Sequence, residues 1–220
     1  MSSDCTKVEG ISVVTTTWNE SENIAELIRR VHLILKGKVH EIIVVDDSST
    51  DGTLDVAKQF ADVAVSKVRE GQSKGLLYGM KLTKYPVIVT IDADLENNPE
   101  LIPSLTQKLE SSDLVVASRT TLPRLSEKLA SKTIGKSMGV TDFFSNFRAY
   151  KKETIANLNL KGGETFGGEL LVAAKKKGYR LGELMYEPPP RRSRPRIGGT
   201  LRANLRITWA LLKCYAIYYF

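Results

Sequence analysis

Asp92-Ala93-Asp94 follows directly on Val87-Ile88-Val89-Thr90-Ile91, a run of β-forming residues. Two carboxylates one residue apart at the end of a buried strand can reach one divalent cation, and hard oxygen ligands suit Mg²⁺ or Mn²⁺. A cation so held can take up the charge that develops on a departing diphosphate. Glu96 stands two residues further on as a third oxygen donor. A D-x-D triplet alone is a common polar loop, but this one has company. Trp18-Asn19-Glu20 and Asp46-Asp47 also end β-rich runs, Ile11 to Thr15 and Glu41 to Val45. Three polar or acidic clusters therefore belong at one edge of a sheet.

Groups suited to phosphate come later in the chain. Arg191, Arg192, Arg194 and Arg196 crowd behind Pro188-Pro189-Pro190; guanidinium groups bind phosphate bidentately, and the same loop suits anionic lipid headgroups. Gly71-Gln72-Ser73-Lys74-Gly75 precedes a helix but lacks the G-K-[ST] of a P-loop, so close helix packing at Gly75 and Gly79 is the better reading than a phosphate cradle. Gly162-Gly163 and Gly198-Gly199 suggest hinges. Of the two histidines, His32 falls inside a helical pattern and His40 just before a strand, and both read as structural.

The elements that must position these groups alternate. Strands are expected over 11–15, 41–45, 63–65, 87–91 and 114–117, with helices over 23–35, 53–60, 74–84 and 101–110. This is the rhythm of an α/β doubly wound, mostly parallel sheet, whose ligands sit beyond the carboxyl ends of its strands. After Arg119 the rhythm loosens into a polar, basic stretch (122–141), an aromatic one (143–150) and a glycine-rich one (162–168), where acceptor-side elements are expected. A helix over 166–177 and a strand over 182–186 precede the prolines.

At 220 residues, 42% hydrophobic and 26% charged, the chain suits one ordered domain over residues 1–200. The net charge of +7 favours an anionic partner. Cys5 and Cys214 form no disulfide framework, and Met1 to Gly10 has no apolar run of a signal peptide, so a cytosolic setting is expected. Over 201–220, Arg202 and Arg206 alternate with Leu201, Leu205, Ile207, Trp209, Leu211 and Leu212. That pattern predicts an amphipathic, membrane-proximal helix, with a core-packing or dimer-forming helix as the alternative. The apolar end, Trp209 to Phe220, falls short of the ~20 residues that span a bilayer.

Thr17-Trp18-Asn19-Glu20, Val44 to Thr53 and Asp92-Ala93-Asp94-Leu95 together resemble the inverting family-two glycosyltransferases, whose fold is called GT-A. Within that family the chain is similar to the dolichol-phosphate mannose synthases: Gly71 to Gly79, Asp92 to Glu100, Ser145-Asn146-Phe147-Arg148-Ala149 and Gly167-Gly168-Glu169-Leu170 follow in their order. The resemblance implies a Rossmann-like sheet flanked by helices. It implies a nucleotide-sugar site at Thr16, Trp18, Glu20, Val45, Asp46, Asp47, Asp92, Ala93 and Asp94, with Trp18 stacking on a base. Asp92, Asp94 and Glu96 would hold the metal. Arg119 would approach the sugar diphosphate or the acceptor phosphate, with Lys132, Ser145, Arg148, Glu169, Arg191, Arg192, Arg194 and Arg196 on the acceptor side. Asp94, Arg119 and Arg194 are the residues expected to act on the reaction. The chain departs from the family with Trp18 for the usual tyrosine, Thr16 for proline, Glu96 for the frequent glutamine and Asn146 for glycine.

The implied activity is transfer of a hexose, mannose first and glucose second, from GDP-mannose or UDP-glucose to dolichyl or another polyprenyl phosphate. Such an acceptor is largely ionised near neutrality, its second pKa being about 6, so no strong base is needed. The implied setting is peripheral, on the cytoplasmic face of a membrane with an anionic surface and room for a membrane partner subunit. A glycan-extending transferase would instead need a carboxylate base, for which Asp142 is the nearest candidate. A nucleic-acid binder accounts for the positive charge, but no nucleic-acid-binding signature is present and three acidic strand ends repel a phosphate backbone. A silent nucleotide-sugar sensor would keep the pocket without turnover.

Overall fold

β-branched residues dominate the strands up to residue 119, and most strand positions are inaccessible to solvent because helices cover the sheet on both faces. The computed structural model describes residues 10–160 and 166–189, with isolated positions between 208 and 216. Among the described residues seven strands are present: β1 Ile11–Thr17, β2 His40–Asp46, β3 Val63–Ser66, β4 Val87–Thr90, β5 Leu114–Arg119, β6 Arg148–Lys151 and β7 Leu181–Tyr186. They form one sheet in the order β3-β2-β1-β4-β6-β5-β7, in which β6 alone runs antiparallel to its neighbours.

The helices are α1 Ile24–Ile34, α2 Thr53–Phe60, α3 Gln72–Leu82, α4 Ile102–Gln107, α5 Leu125–Ala130, α6 Lys136–Met138, α7 Lys152–Ala156 and α8 Phe166–Lys176. A π turn, Ser131–Gly135, joins α5 to α6, and 3₁₀ turns flank α4. In α1 the residues Ile24, Leu27, Ile28 and Val31 are buried, the i, i+3, i+4, i+7 stripe of a helix on a sheet. Alternate strand residues point to opposite faces, so Val13 and Val44 join a core with α1 and α4, while Val14 and Val45 join a second core with α3, Ile134, Met138 and α8.

The expected alternation over residues 11–119 is present, with bounds shifted by a few residues. Helix 101–110 is a four-turn composite rather than one regular helix. Strand β6 and helices α5 to α7 were not legible in the sequence. The basic stretch 122–141 contains a helical segment whose buried Ala130, Ile134 and Met138 recur every four residues. The aromatic stretch leads into β6. The C-terminal helix expected over 201–220 lies almost wholly outside the described residues, as do Arg191, Arg192, Arg194 and Arg196. Trp209 and Leu212 are exposed helical positions, with the Lys213 ammonium 5.5 Å from the Trp209 ring centroid.

Strands β1, β2 and β3 succeed one another in one direction across the sheet, and β4 then takes the other side of β1. Ligands of open α/β sheets bind at such a reversal, here beyond the ends of β1 and β4. Helix α3 lies tight against β1 beside it. A Cβ on Gly75 would sit 2.7 Å from Thr16 Cγ2, and one on Gly79 2.5 Å from Val14 Cγ1. The glycines let α3 approach this closely, as their spacing suggests.

Candidate active site at the carboxyl edge of the sheet

Thr16, largely buried, and Thr17 end β1, and the chain turns through Asn19, whose φ is +55°. The Thr50 N–H donates to Asn19 Oδ1 at 3.0 Å, the Asn19 N–H to Ser49 Oγ at 2.9 Å, and the Glu20 N–H to Thr53 Oγ1 at 2.8 Å. These bonds lace the turn after β1 to the turn after β2. Glu20 is buried, and its Oε2 accepts from Asn23 Nδ2 at 2.9 Å at the start of α1.

Asp46 and Asp47 end β2 beside Val45, and both are committed to the protein. Asp46 accepts from Thr17 Oγ1 at 2.9 Å and from the Ser49 hydroxyl and N–H, which shapes the turn. Asp47 accepts from Lys67 Nζ at 2.8 Å and from the N–H groups of Glu70 and Gly71 at 2.9 and 2.8 Å. Burial opposes the Asp47 charge, but the Lys67 ammonium and these two amides win and hold its pKa below the usual value. Asp47 thereby fixes the loop 67–71. From that loop Arg69 lays its guanidinium 3.5 Å from the Trp18 ring centroid, a cation–π contact on the face where a base was expected to stack. Trp18 is 38% exposed.

At the end of β4, Asp92 keeps a partly exposed face although protein crowds around it. Gln72 Nε2, at the start of α3, donates to Asp92 Oδ1, and Asn97 Nδ2 donates to Oδ2 at 3.2 Å. Tyr186 OH, on β7, donates to Asn97 Oδ1 at 2.7 Å, which ties the edge together. Asp94 accepts the Glu96 N–H at 3.0 Å. Leu95 is held at φ +59°, a conformation that costs a leucine energy and that packing of its side chain in the core maintains. Burial first, and the charge of Asp94 second, push the Asp92 pKa well up, against the hydrogen bonds of Asn97 and Gln72 and the charge of Arg119.

That surplus of negative charge is what a divalent cation relieves, so Asp92 and Asp94 fit the metal expected at this edge. Glu96 does not complete the set: among the described residues no three His, Cys, Asp or Glu side chains gather as ligands.

Arg119 ends β5 and forks onto Asp142, with Nε to Oδ2 at 2.6 Å and Nη2 to Oδ1 at 3.2 Å; Glu127 Oε2 lies 3.8 Å from Nη2. Burial works against its charge, yet the bonds and charge of Asp142, reinforced by Glu127, raise its pKa above the ordinary value. Arg119 is thus a fixed cation close enough to act on Asp92. Asp142 is buried and each of its oxygens accepts from Arg119, which ties it to that guanidinium.

Arg148 departs from the acceptor-side expectation. It is fully buried, and its Nη1 and Nη2 donate to the carbonyls of Gly167 at 2.6 Å and Phe143 at 2.9 Å, so it binds the start of α8 to the sheet rather than facing a ligand. Ser145 Oγ accepts the Phe147 N–H, Lys132 is exposed on the π turn, and Glu169 lies half-buried on the first turn of α8. The two histidines bond to each other at 2.9 Å at the start of β2, the far end of that strand from the site. Gln72, Asn97, Tyr186 and Arg69 were not singled out individually from the sequence. Gln72 lay in the glycine-flanked stretch already noted, whereas Tyr186 and Arg69 carried no local signal.

The chain matches glycosyl transferase family 2 over residues 12–165. It is 37% identical over 172 residues to an undecaprenyl-phosphate 4-deoxy-4-formamido-L-arabinose transferase of Enterobacter sp. (strain 638), covering 68% of this chain and 52% of that one. It is 34% identical over 188 residues to a dolichol-phosphate mannosyltransferase of Pyrococcus furiosus, covering 76% and 53%. The chain thus spans about half the length of these relatives. In fold it is similar to glucosyl-3-phosphoglycerate synthase of Mycobacterium tuberculosis, solved with phosphoglyceric acid, at a TM-score of 0.78 and 24% identity over 94% of this chain and 80% of that one. The same synthase has been solved with Mn²⁺, uridine diphosphate and glucosyl-3-phosphoglycerate, at a TM-score of 0.77. The sheet with its helices is therefore of the GT-A type, and the chain belongs to glycosyl transferase family 2.

Proposed function

We propose that this chain transfers a hexose, mannose before glucose, from a nucleotide sugar to dolichyl or another polyprenyl phosphate, with inversion and with the help of Mg²⁺ or Mn²⁺. The observation that carries the reading is the Asp92–Asp94 pair at the switch point of the sheet, where crowded negative charge calls for a cation. The names of the 37% and 34% identical relatives support a polyprenyl phosphate as acceptor.

Trp18, Thr16 and the turn after β2 form the wall on which the nucleoside would rest. Asp92 and Asp94 would hold the divalent ion. When bound, that ion neutralises charge on the departing nucleoside diphosphate. Arg119, fixed by Asp142, supplies a constant positive field at the same edge without needing to move. A phosphate acceptor brings its own negative oxygen, which agrees with a site whose nearest candidate base, Asp142, is buried against Arg119. The remaining partners of this reading are an anionic membrane surface on the cytoplasmic side and a membrane-embedded subunit.

The test is incubation with Mn²⁺ or Mg²⁺, radiolabelled GDP- and UDP-sugars, and either a polyprenyl phosphate or a free sugar acceptor. Label should enter the lipid phase, and Asp94→Asn should cut transfer on the order of 100-fold or more, the usual cost of losing one transition-state stabiliser. Label only in the sugar acceptor would favour the glycan-extending reading.

A further inference from the structure

Gln72 stands at the first position of α3, after Gly71 at φ +92°, and its carboxamide is used at both ends. Nε2 donates to Asp92 Oδ1, and Oε1 accepts from Asn146 Nδ2 at 3.1 Å. Asn146 is itself pinned: Thr90 Oγ1, at the end of β4, donates to its carbonyl at 2.6 Å. A Cβ on Gly167, in the first turn of α8, would lie 3.4 Å from Asn146 Oδ1. The loop 142–147 that carries Asn146 begins at Asp142, the partner of Arg119. One connected path therefore runs from Asp92 through Gln72 and Asn146 to the loop that holds Arg119.

A carboxylate oxygen has two acceptor positions. Gln72 takes one on Oδ1 and Asn97 one on Oδ2, which fixes the plane of the carboxylate and leaves a lone pair on each oxygen. Partners of this kind behind a ligand orient it and raise its affinity for a cation. Gln72 needs a fixed Oε1 to hold its own amide plane, and Asn146 Nδ2 provides that.

We propose that Gln72 and Asn146 form an amide clasp that positions Asp92 for the divalent ion and couples it to the Arg119–Asp142 loop. Gln72 is a positioning residue that acts through Asp92, and Asn146 acts through Gln72. The proposal rests on the reading of Asp92 and Asp94 as metal ligands and does not depend on which sugar is transferred.

The test is Mn²⁺ binding to the full 220-residue chain, followed by electron paramagnetic resonance of the free ion, for wild type, Gln72→Met, Asn146→Gly and the double variant. Gln72→Met keeps length and removes both hydrogen bonds at an exposed position. It should weaken Mn²⁺ binding by roughly 10- to 100-fold, the range for loss of such a supporting partner. Asn146→Gly should weaken it less, and the double variant should bind no worse than Gln72→Met, because the second residue acts only through the first. Equal affinity in wild type and Gln72→Met overturns the clasp while leaving the metal site intact. A double variant with additive losses overturns the coupling through Gln72. No Mn²⁺ binding by wild type overturns the metal site and the clasp with it. Should Gln72→Met fail to fold, Asn146→Gly alone decides, its unchanged affinity counting against the proposal.

Discussion

Asp92 and Asp47 are both aspartates at strand ends, yet their surroundings drive them in opposite directions. Asp47 meets an ammonium and two amides, which hold its pKa down, so its contribution to stability is present above the unfolded pKa and fades as pH falls through the folded one. Asp92 is crowded and faces Asp94, which lifts its pKa to about 7. The folded protein then keeps a proton that the unfolded chain has released, so this group's contribution is full below the unfolded value and is lost as pH rises through about 7. Mn²⁺ or Mg²⁺ should accordingly raise the melting temperature more at about pH 8 than at about pH 5, where protons compete for the carboxylates. Asp92→Asn should lose the rise given by the ion. Differential scanning calorimetry at the two values checks both; a metal-induced rise independent of pH would count against the charge argument.

Helix α3 matters at the scale of elements because it carries Gln72 to the edge and lies flat on β1. That packing leaves no space at Gly79, where a Cβ would press on Val14 Cγ1 at 2.5 Å in the sheet core. Gly79→Ala should destabilise the fold by about 1–3 kcal/mol, as overpacking does, read as a lower midpoint in urea at unchanged slope. Helix α3 was visible in the sequence because its apolar residues recur at helical spacing and its glycines mark the close face. Strand β6 was hidden. Its four residues, Arg148-Ala149-Tyr150-Lys151, include two cations and no apolar run, and they become a strand by pairing with Thr90 to Val87 on one side and Val116 to Leu114 on the other. Partners some 60 and 30 residues away decide such a strand, and local propensity does not. The buried Arg148 belongs to the same lesson, since only the carbonyls of Gly167 and Phe143 make its burial tolerable.

For the whole molecule, a net charge of +7 favours association with anionic surfaces. Vesicles rich in anionic lipid should co-sediment more of the protein than neutral ones, and the excess should vanish at about 1 M salt, where the screening length falls to about 3 Å. Persistence of the excess at high salt would point to apolar insertion instead. No helix among the described residues is long and apolar enough to cross a membrane. The order of strands and helices through residue 119, the three polar clusters at strand ends and the family were all readable from the amino-acid order, because apolar periodicity and short motifs are local properties. The tertiary structure alone decided that Asp47 serves a loop, that Arg119 is fixed by Asp142, that Arg148 is internal, and that Gln72 meets both Asp92 and Asn146. Those assignments depend on which distant side chains share a few ångströms, and a hydrogen bond or an ion pair has no counterpart in the spacing of residues along a chain.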